Sequence, residues 1–142
     1  MEIIQNKKII ASGGVIYRNI NKKEIIVCHR SKTNLFALPK GKSESDESLE
    51  NTALREVLEE TGLECKIVKS LDTIEYLVPH KGKYFPKEVT FYLMEVIGGN
   101  LENHDQEFDE VRWIGIEKAK TILTFQSESD IINKILDNES KI

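Results

Sequence analysis

Three glutamates, Glu56, Glu59 and Glu60, are spaced so that they could hold a metal ion. Positions i, i+3 and i+4 share a helix face, so these carboxylates would fall within roughly a quarter of the circumference. Gly62 is a typical helix stop, which puts the acids in the last turns, where the helix dipole disfavours negative charge. Their mutual repulsion adds on the order of a few tenths of a kcal/mol per pair. The spacing therefore indicates that a cation neutralises the cluster.

The type of ligand indicates which cation this would be. Carboxylates, completed by backbone carbonyls and water, form the all-oxygen shell that Mg²⁺ or Mn²⁺ prefers, whereas zinc would favour Cys or His. The competing interpretation is a solvated acidic helix face, which is the usual role of a glutamate run. Glu59 and Glu60 alone favour the solvated acidic face, whereas the wider pattern of residues favours the metal site.

That pattern comprises Gly41, Glu47 and the run Arg55-Glu56-Val57-Leu58-Glu59-Glu60-Thr61-Gly62-Leu63. In residue types and spacing it resembles the signature box of the Nudix hydrolases, with every defining position filled. Ser12-Gly13-Gly14-Val15 and Arg112-Trp113 also sit where relatives carry similar residues, so the resemblance extends over nearly the whole chain. It implies an α/β fold, a Nudix-type α/β/α sandwich with a mixed β-sheet and a catalytic loop-helix-loop.

The resemblance also implies roles for the residues of the box. The implied metal ligands are Glu56, Glu59, Glu60 and the Gly41 carbonyl, and one glutamate, left open here, would also act as general base. Arg55 lies on the flank of the acidic arc, where its guanidinium can brace a neighbouring carboxylate. Glu47 is expected to hold the loop to the helix, although an exposed glutamate at a helix start would look the same.

A second acidic stretch, Glu107-Phe108-Asp109-Glu110, comes just before the predicted last strand. With Arg112-Trp113 it is similar to a segment of Nudix members that cut dinucleoside polyphosphates or 5′-triphosphorylated RNA, in which the first glutamate assists metal or water. The resemblance makes Glu107 a candidate catalytic residue and metal ligand, with a solvated acidic loop as the alternative. Two residues depart from the family pattern: Val111 replaces a frequent aromatic residue, and Asp46 replaces a glycine but tolerates turn conformations.

Lysines close to aromatic residues are candidates for substrate binding. Lys40 adjoins Gly41, and the same Pro-Lys-Gly sequence occurs in many dinucleoside polyphosphate hydrolase relatives. Lys87 could contact phosphate while Tyr84 stacks on a base, although an ordinary solvated hairpin is the alternative. We therefore expect Lys40, Lys87 and Tyr84 to bind substrate. The histidines lack a Cys or a second His at ligand spacing and are assigned no metal.

Composition limits the class of protein. The chain has 142 residues, 39% hydrophobic and 31% charged, which predicts a single domain over residues 1–142. No apolar run approaches the ~20 residues of a membrane span, and the first residues lack the apolar core of a signal peptide, so we expect a cytoplasmic protein. Cys28 and Cys65 are expected to be reduced and buried. The net charge of −4 favours a small nucleotide over DNA, an RNA 5′ end or a membrane as partner, and leaves the oligomeric state open.

Apolar periodicity predicts the elements that position these residues. Strands are expected at 8–17, 24–28, 35–38, 67–77, 88–96 and 111–114, the first two joined as a hairpin and the two long ones separated by a polar excursion at 79–87. A helix with Ser48 as N-cap should pack Leu49, Ala53 and Val57 on the core. A short helix is expected at 116–123, and Ser127-Glu128-Ser129-Asp130 resembles an N-terminal cap ahead of a last helix.

Together these features predict an Mg²⁺-dependent hydrolase, with Mn²⁺ as an alternative metal, that acts on nucleoside diphosphate linkages. The foremost substrate is a dinucleoside polyphosphate such as diadenosine tetraphosphate. Oxidised nucleoside triphosphates and the 5′ end of triphosphorylated RNA are the alternative substrates. A non-catalytic nucleotide-binding sensor is the alternative of another class, but such a protein has no need of three mutually repelling acids.

Overall fold

The computed structural model describes residues 1–140, which form one mixed β-sheet with helices on both faces. The strands are β1 (Ile9–Asn19), β2 (Lys23–Arg30), β3 (Leu35–Ala37), β4 (Lys40–Lys42), β5 (Leu63–His80), β6 (Lys83–Gly99) and β7 (Glu110–Gly115). The helices are α1 (Leu49–Thr61), α2 (Ile116–Ile122) and α3 (Gln126–Ser140), with a 3₁₀ turn at Leu101–Asn103. The central strands follow the order β3-β2-β1-β6-β5, while β4 pairs with β1 and β7 with β2. Only the β1–β6 pairing is parallel among the described strands.

Alternation along the central strands divides the core into two layers. Val15 and Ile25 pack with residues of α2 and α3, whereas their neighbours Ile16 and Ile26 pack with residues of α1. Successive side chains of a strand point to opposite faces of the sheet, so each strand contributes side chains to both layers of the core. This arrangement confirms the predicted α/β/α sandwich with a mixed sheet.

Helix α1 has the ends that its sequence predicts. The Ser48 side chain accepts a hydrogen bond from the backbone N–H of Asn51 at 3.1 Å, as an N-cap does. Gly62 follows the helix with φ of 77°, and its N–H bonds the carbonyl of Leu58. A side chain at Gly62 would collide with the carbonyl of Asn100, so glycine is required for space as well as for conformation. Ala53 and Val57 are fully buried, which confirms the predicted packing stripe.

The expectation of a polar excursion at 79–87 is wrong. Strands β5 and β6 continue to His80 and from Lys83, and the pairs Tyr76↔Lys87 and Val78↔Phe85 extend the ladder. Lys81 and Gly82, with φ of 51° and 77°, form the two-residue turn between them. Two successive positive φ angles match the right-handed twist of a hairpin, so the strands pair almost to the turn.

The N-terminal cap expected at residues 127–130 is also wrong. Helix α3 already begins at Gln126, and the Glu128 side chain is buried within it, at 1% exposure. A capping residue would lie at the helix start and accept from the first turn, whereas the Glu128 carboxylate accepts a hydrogen bond from the Leu38 backbone N–H. The short helix α2 and the β1–β2 hairpin lie where they were predicted.

Two further expectations concern the cysteines and the membrane. Cys28 and Cys65 are both free and buried, which confirms the prediction. Within the described residues, no helix combines the length and the apolar character needed to cross a membrane.

Candidate active site

Helix α1 presents its acids at three depths beside strand β4. The Glu59 side chain is 50% exposed, the Glu56 side chain is 14% exposed, and Glu60 is buried. Gly41 lies directly against Glu56, because a Cβ at this position would collide with the Glu56 carboxylate. The structure thus brings Gly41 and the three glutamates of the sequence motif to one place.

Arg55 ties these acids together. Its Nε and Nη2 donate to the two carboxylate oxygens of Glu47 at 2.7 and 2.9 Å, a bidentate contact. Its Nη1 donates to Glu56 at 2.9 Å and to Glu59 at 3.3 Å, and its Nη2 also donates to the Lys42 carbonyl. One guanidinium therefore sets the orientation of three carboxylates and of the loop that carries β4.

Glu47 is held by more than Arg55. Its carboxylate also accepts hydrogen bonds from the Thr52 hydroxyl at 2.7 Å and from the Glu44 backbone N–H at 3.1 Å. The Arg55 hydrogen bonds, followed by these two, lower the pKa of Glu47 to about 2. Glu47 is consequently ionised at neutral pH and fastens the loop before α1 to the helix.

Glu60 is the acid with the least compensation. Its Oε2 accepts a hydrogen bond from the Lys40 backbone N–H at 3.1 Å. Burial, and then the nearby negative charge of Glu107, nevertheless raise the pKa of Glu60 to about 9. The charge of Lys40 lowers this pKa only in part, so an ionised carboxylate at this depth needs a further positive charge.

The donor set fits a hard divalent cation, although the side chains are not gathered around one point. Among the described residues, no three His, Cys, Asp or Glu side chains converge closely enough to hold a metal as they stand. Arg55 holds Glu56 and Glu59, and the Lys40 amide holds Glu60, in their present positions. The donors are all oxygen atoms and the charge of Glu60 is only partly compensated, which is what Mg²⁺ or Mn²⁺ would require.

Lys40 has a partner that sequence reasoning missed. Its Nζ lies 2.9 Å from Oε2 of Glu128, while Oε1 of Glu128 accepts a hydrogen bond from the Leu38 backbone N–H at 2.9 Å. Burial opposes the charge of Lys40, but the Glu128 carboxylate outweighs it and raises the pKa of Lys40. The contact joins residues far apart in the chain, and nothing in the local sequence around Glu128 signals it.

A cleft of about 280 Å³ opens beside Glu60. Its walls include Lys40, Glu60, Tyr76, Lys87, Glu107 and Phe125. The rings of Tyr76 and Phe125 are nearly parallel, 15° apart in orientation, with centroids separated by 6.2 Å. Lys87 Nζ lies 6.0 Å from the centre of the Tyr76 ring. The cleft thus combines two acids, two lysines and a pair of aromatic faces.

Of the two remaining expected residues, Tyr84 lies away from the cleft and Glu107 lies at its edge. Tyr84 pairs with Pro79, so it points to the opposite face of the hairpin from Lys87 and Tyr76 and is not brought to the cleft. Glu107 is at the cleft but half exposed, and its carboxylate lies 3.3 Å from Arg30 Nη2. Strand alternation could have found Tyr76, since it shares its face with Lys87 once the two strands are paired.

Comparison with known proteins supports a common origin for this arrangement. The NUDIX domain matches residues 8–134. The protein named "Putative mutator protein MutT4" of Mycobacterium tuberculosis is 36% identical over 106 residues, which are 72% of this chain and 43% of that protein. The asymmetrical bis(5′-nucleosyl)-tetraphosphatase of Mus musculus is 34% identical over 89 residues, which are 62% of this chain and 60% of that protein.

A solved structure shows the same fold. A binary complex of an Ap4A hydrolase from C. elegans superposes with a TM-score of 0.75 at 24% identity, covering 94% of this chain and 99% of that chain. This chain spans 43% and 60% of the length of the two curated relatives. With the NUDIX domain matched over residues 8–134, the chain belongs to the NUDIX domain family.

Proposed function

We propose that this chain is a single catalytic domain that hydrolyses phosphoric anhydride bonds of nucleotides with a divalent metal, and that its substrate is a dinucleoside polyphosphate. The observation that carries the proposal is the cleft, in which the buried acid Glu60 and the parallel rings of Tyr76 and Phe125 line one space. A nucleotide offers a flat base for the rings and phosphates for the acidic end. The names of the mouse tetraphosphatase and of the C. elegans Ap4A hydrolase support this substrate class.

Glu56, Glu59, Glu60 and the Gly41 carbonyl would hold the metal, with Glu107 as a further ligand at the cleft mouth. We propose Mg²⁺, with Mn²⁺ as the alternative, because all these donors are oxygen atoms. When bound, such a metal neutralises phosphate oxygens and lowers the pKa of an attacking water. Which glutamate accepts the proton of that water stays open.

Residues of the chain itself would orient the reactants. Arg55 keeps the Glu56 and Glu59 carboxylates in place, and Glu47 in turn fixes Arg55. Glu128 holds Lys40 at the cleft wall, where its charge faces the phosphates. Lys87 forms no ion pair among the described side chains, so its ammonium group is available to a phosphate.

The aromatic pair would bind one base. The Tyr76 and Phe125 rings are nearly parallel, with centroids 6.2 Å apart, and Phe125 is 41% exposed, so its face is available for a base to stack on. This replaces the expected role of Tyr84.

A panel assay tests the proposal. Purified protein is incubated with Mg²⁺ and diadenosine tetraphosphate, oxidised and ordinary nucleoside triphosphates, nucleotide sugars or triphosphorylated RNA, and the products are separated by chromatography. Cleavage of diadenosine tetraphosphate to ATP and AMP, lost in Glu59→Gln and kept in the exposed control Glu64→Gln, is the expected result. Preference for an oxidised nucleoside triphosphate or for RNA would replace the substrate. Absence of turnover with every compound would favour a nucleotide-binding sensor.

A further inference from the structure

A second depression continues the cleft along the β5–β6 hairpin. It has a volume of about 450 Å³, and its walls include Lys7, Lys42, Val78, His80, Phe85 and Lys87. Val78 and Lys87 line both the cleft and this depression, so the two adjoin. We call it the lysine groove.

The pairing of the strands explains why these lysines meet. The parallel pairing of β1 with β6 sets Ile9 beside Lys87, and Lys7 is two residues before Ile9. The pairing of β4 with β1 sets Lys42 opposite Ala11. Three lysines from separate parts of the sequence therefore gather at one end of the sheet.

The lysines of the groove lack ion-pair partners within the described part of the chain. Among the side chains that the structure describes, none of Lys7, Lys42 and Lys87 forms an ion pair with a carboxylate. Lys8 provides the contrast, because it points to the other face of the sheet and lies 3.1 Å from Glu88 and 3.5 Å from Glu75. Burial, followed by the charges of Lys40 and Lys42, lowers the pKa of Lys87, as expected where like charges crowd.

The groove also has an apolar surface. The Phe85 and His80 rings meet edge to face, 64° apart in orientation with centroids separated by 6.2 Å. Flat rings beside unpaired lysines match a ligand that carries both phosphate and a base. The cleft itself, at about 280 Å³, is at the lower limit of small-molecule sites and has room for one nucleoside rather than two.

We propose that the lysine groove binds the distal phosphate and nucleoside of a dinucleoside polyphosphate whose other end occupies the cleft. This inference rests on the proposed function, since it assigns the second half of the same substrate. Lys87 lies at the junction and contacts the middle of the phosphate chain, while Lys7 and Lys42 contact its far end.

Calorimetry in EDTA tests the groove without requiring turnover. Diadenosine tetraphosphate and AMP are titrated into wild type, Lys7→Glu and the matched control Lys8→Glu, which changes the neighbouring exposed lysine on the other face. Lys7→Glu is expected to weaken the binding of diadenosine tetraphosphate by about tenfold, and that of AMP by less than twofold. Lys8→Glu should change either affinity by less than twofold.

The inference would be overturned if Lys7→Glu and Lys8→Glu changed the affinity for diadenosine tetraphosphate equally. It would also be overturned if Lys7→Glu weakened the binding of AMP as much as that of diadenosine tetraphosphate, or if wild type did not bind diadenosine tetraphosphate. If Lys7→Glu weakened the binding of triphosphorylated RNA alone, the groove would belong to RNA instead.

Turnover separates failure of the groove from failure of the proposed function. Lys7→Glu could weaken the binding of diadenosine tetraphosphate as expected although wild type cleaves none of the compounds with Mg²⁺. That result would support the groove as a binding site and contradict the proposed hydrolase activity. If wild type cleaves diadenosine tetraphosphate and Lys7→Glu binds it as well as wild type does, the hydrolase stands and the groove falls.

Discussion

Neutralising Glu128 should destabilise the protein, because this buried carboxylate holds the segment that leads into β4. Glu128 is 1% exposed and the Lys40 side chain is 13% exposed, so both charges are largely removed from water. In Glu128→Gln the side-chain carbonyl can still accept from the Leu38 N–H, and Lys40 loses its counter-charge. Breaking a buried pair costs about 3–5 kcal/mol, and the partial exposure of Lys40 favours the lower end, about 3 kcal/mol.

Thermal and urea unfolding would measure this cost. For a chain of this length, about 3 kcal/mol corresponds to a fall in Tm of roughly 6–12 °C. Glu117→Gln is the matched control, since Glu117 also pairs with a lysine but is 75% exposed, and it should cost about 0.5 kcal/mol or less.

A second substitution isolates the ion pair. Lys40→Met removes the buried positive charge that Glu128→Gln leaves without a partner. The double variant should therefore recover most of the stability that Glu128→Gln loses. A double-mutant cycle would report this recovery as a coupling free energy of about 2 kcal/mol or more. A loss in Glu128→Gln no larger than in Glu117→Gln, or additive effects of Glu128→Gln and Lys40→Met, would show that the buried ion pair does not stabilise the fold.

Three further perturbations have defined outcomes. Glu60→Gln should be more stable than wild type at pH 8 in EDTA but nearly as stable as wild type at pH 5. Burial raises the pKa of Glu60 from 4.5 to about 9, so the folded state binds the Glu60 proton more tightly than the unfolded state does. Wild type therefore loses stability as the pH rises from 4.5 to about 9. Thermal unfolding at the two pH values checks this, and a less stable variant at pH 8 would contradict it. Phe125→Ala should raise KM for diadenosine tetraphosphate about tenfold and change kcat little, because it removes the ring on which the base stacks. Phe125→Tyr retains a ring and should leave KM and kcat unchanged. A loss in kcat alone would oppose a role of Phe125 in base binding. Gly41→Ala should abolish turnover while circular dichroism shows a folded protein, because its Cβ would collide with Glu56; retained activity would remove Gly41 from the site.

Helix α1 could be predicted from the sequence because its determinants are local. Ser48 and Gly62 mark its ends, and Ala53 and Val57 repeat at helical spacing. The relation of Glu56, Glu59 and Glu60 to one face follows from the same geometry. The bracing of Glu56 and Glu59 by Arg55 involves neighbours on the helix and so lay within reach of the same argument.

Other features depend on contacts that span the chain. Glu128 looks like a capping residue in its local sequence, and only burial against the segment 90 residues earlier reveals its role. Tyr76 and Phe125 meet through the packing of α3 on β5, and no local pattern relates them. Tyr84 lies on the opposite strand face from Lys87, which sequence proximity could not show, because successive side chains of a strand alternate between its faces.

The hairpin turn illustrates a third kind of limit. Lys81-Gly82 is not among the strongest sequence signals for a two-residue turn, which are Asn-Gly and Asp-Gly. The polar residues around it therefore resembled a loop, although cross-strand pairing with β6 keeps the backbone extended up to His80.

Mn²⁺ binding would show whether the acids of α1 hold a divalent cation. Electron paramagnetic resonance titration would count the ions bound by wild type, by Glu56→Gln/Glu59→Gln and by the exposed control Glu64→Gln. Wild type and control are expected to bind Mn²⁺ alike, and the double variant is expected to bind it at least about tenfold more weakly. Equal affinity in all three proteins would show that Glu56 and Glu59 do not hold the ion.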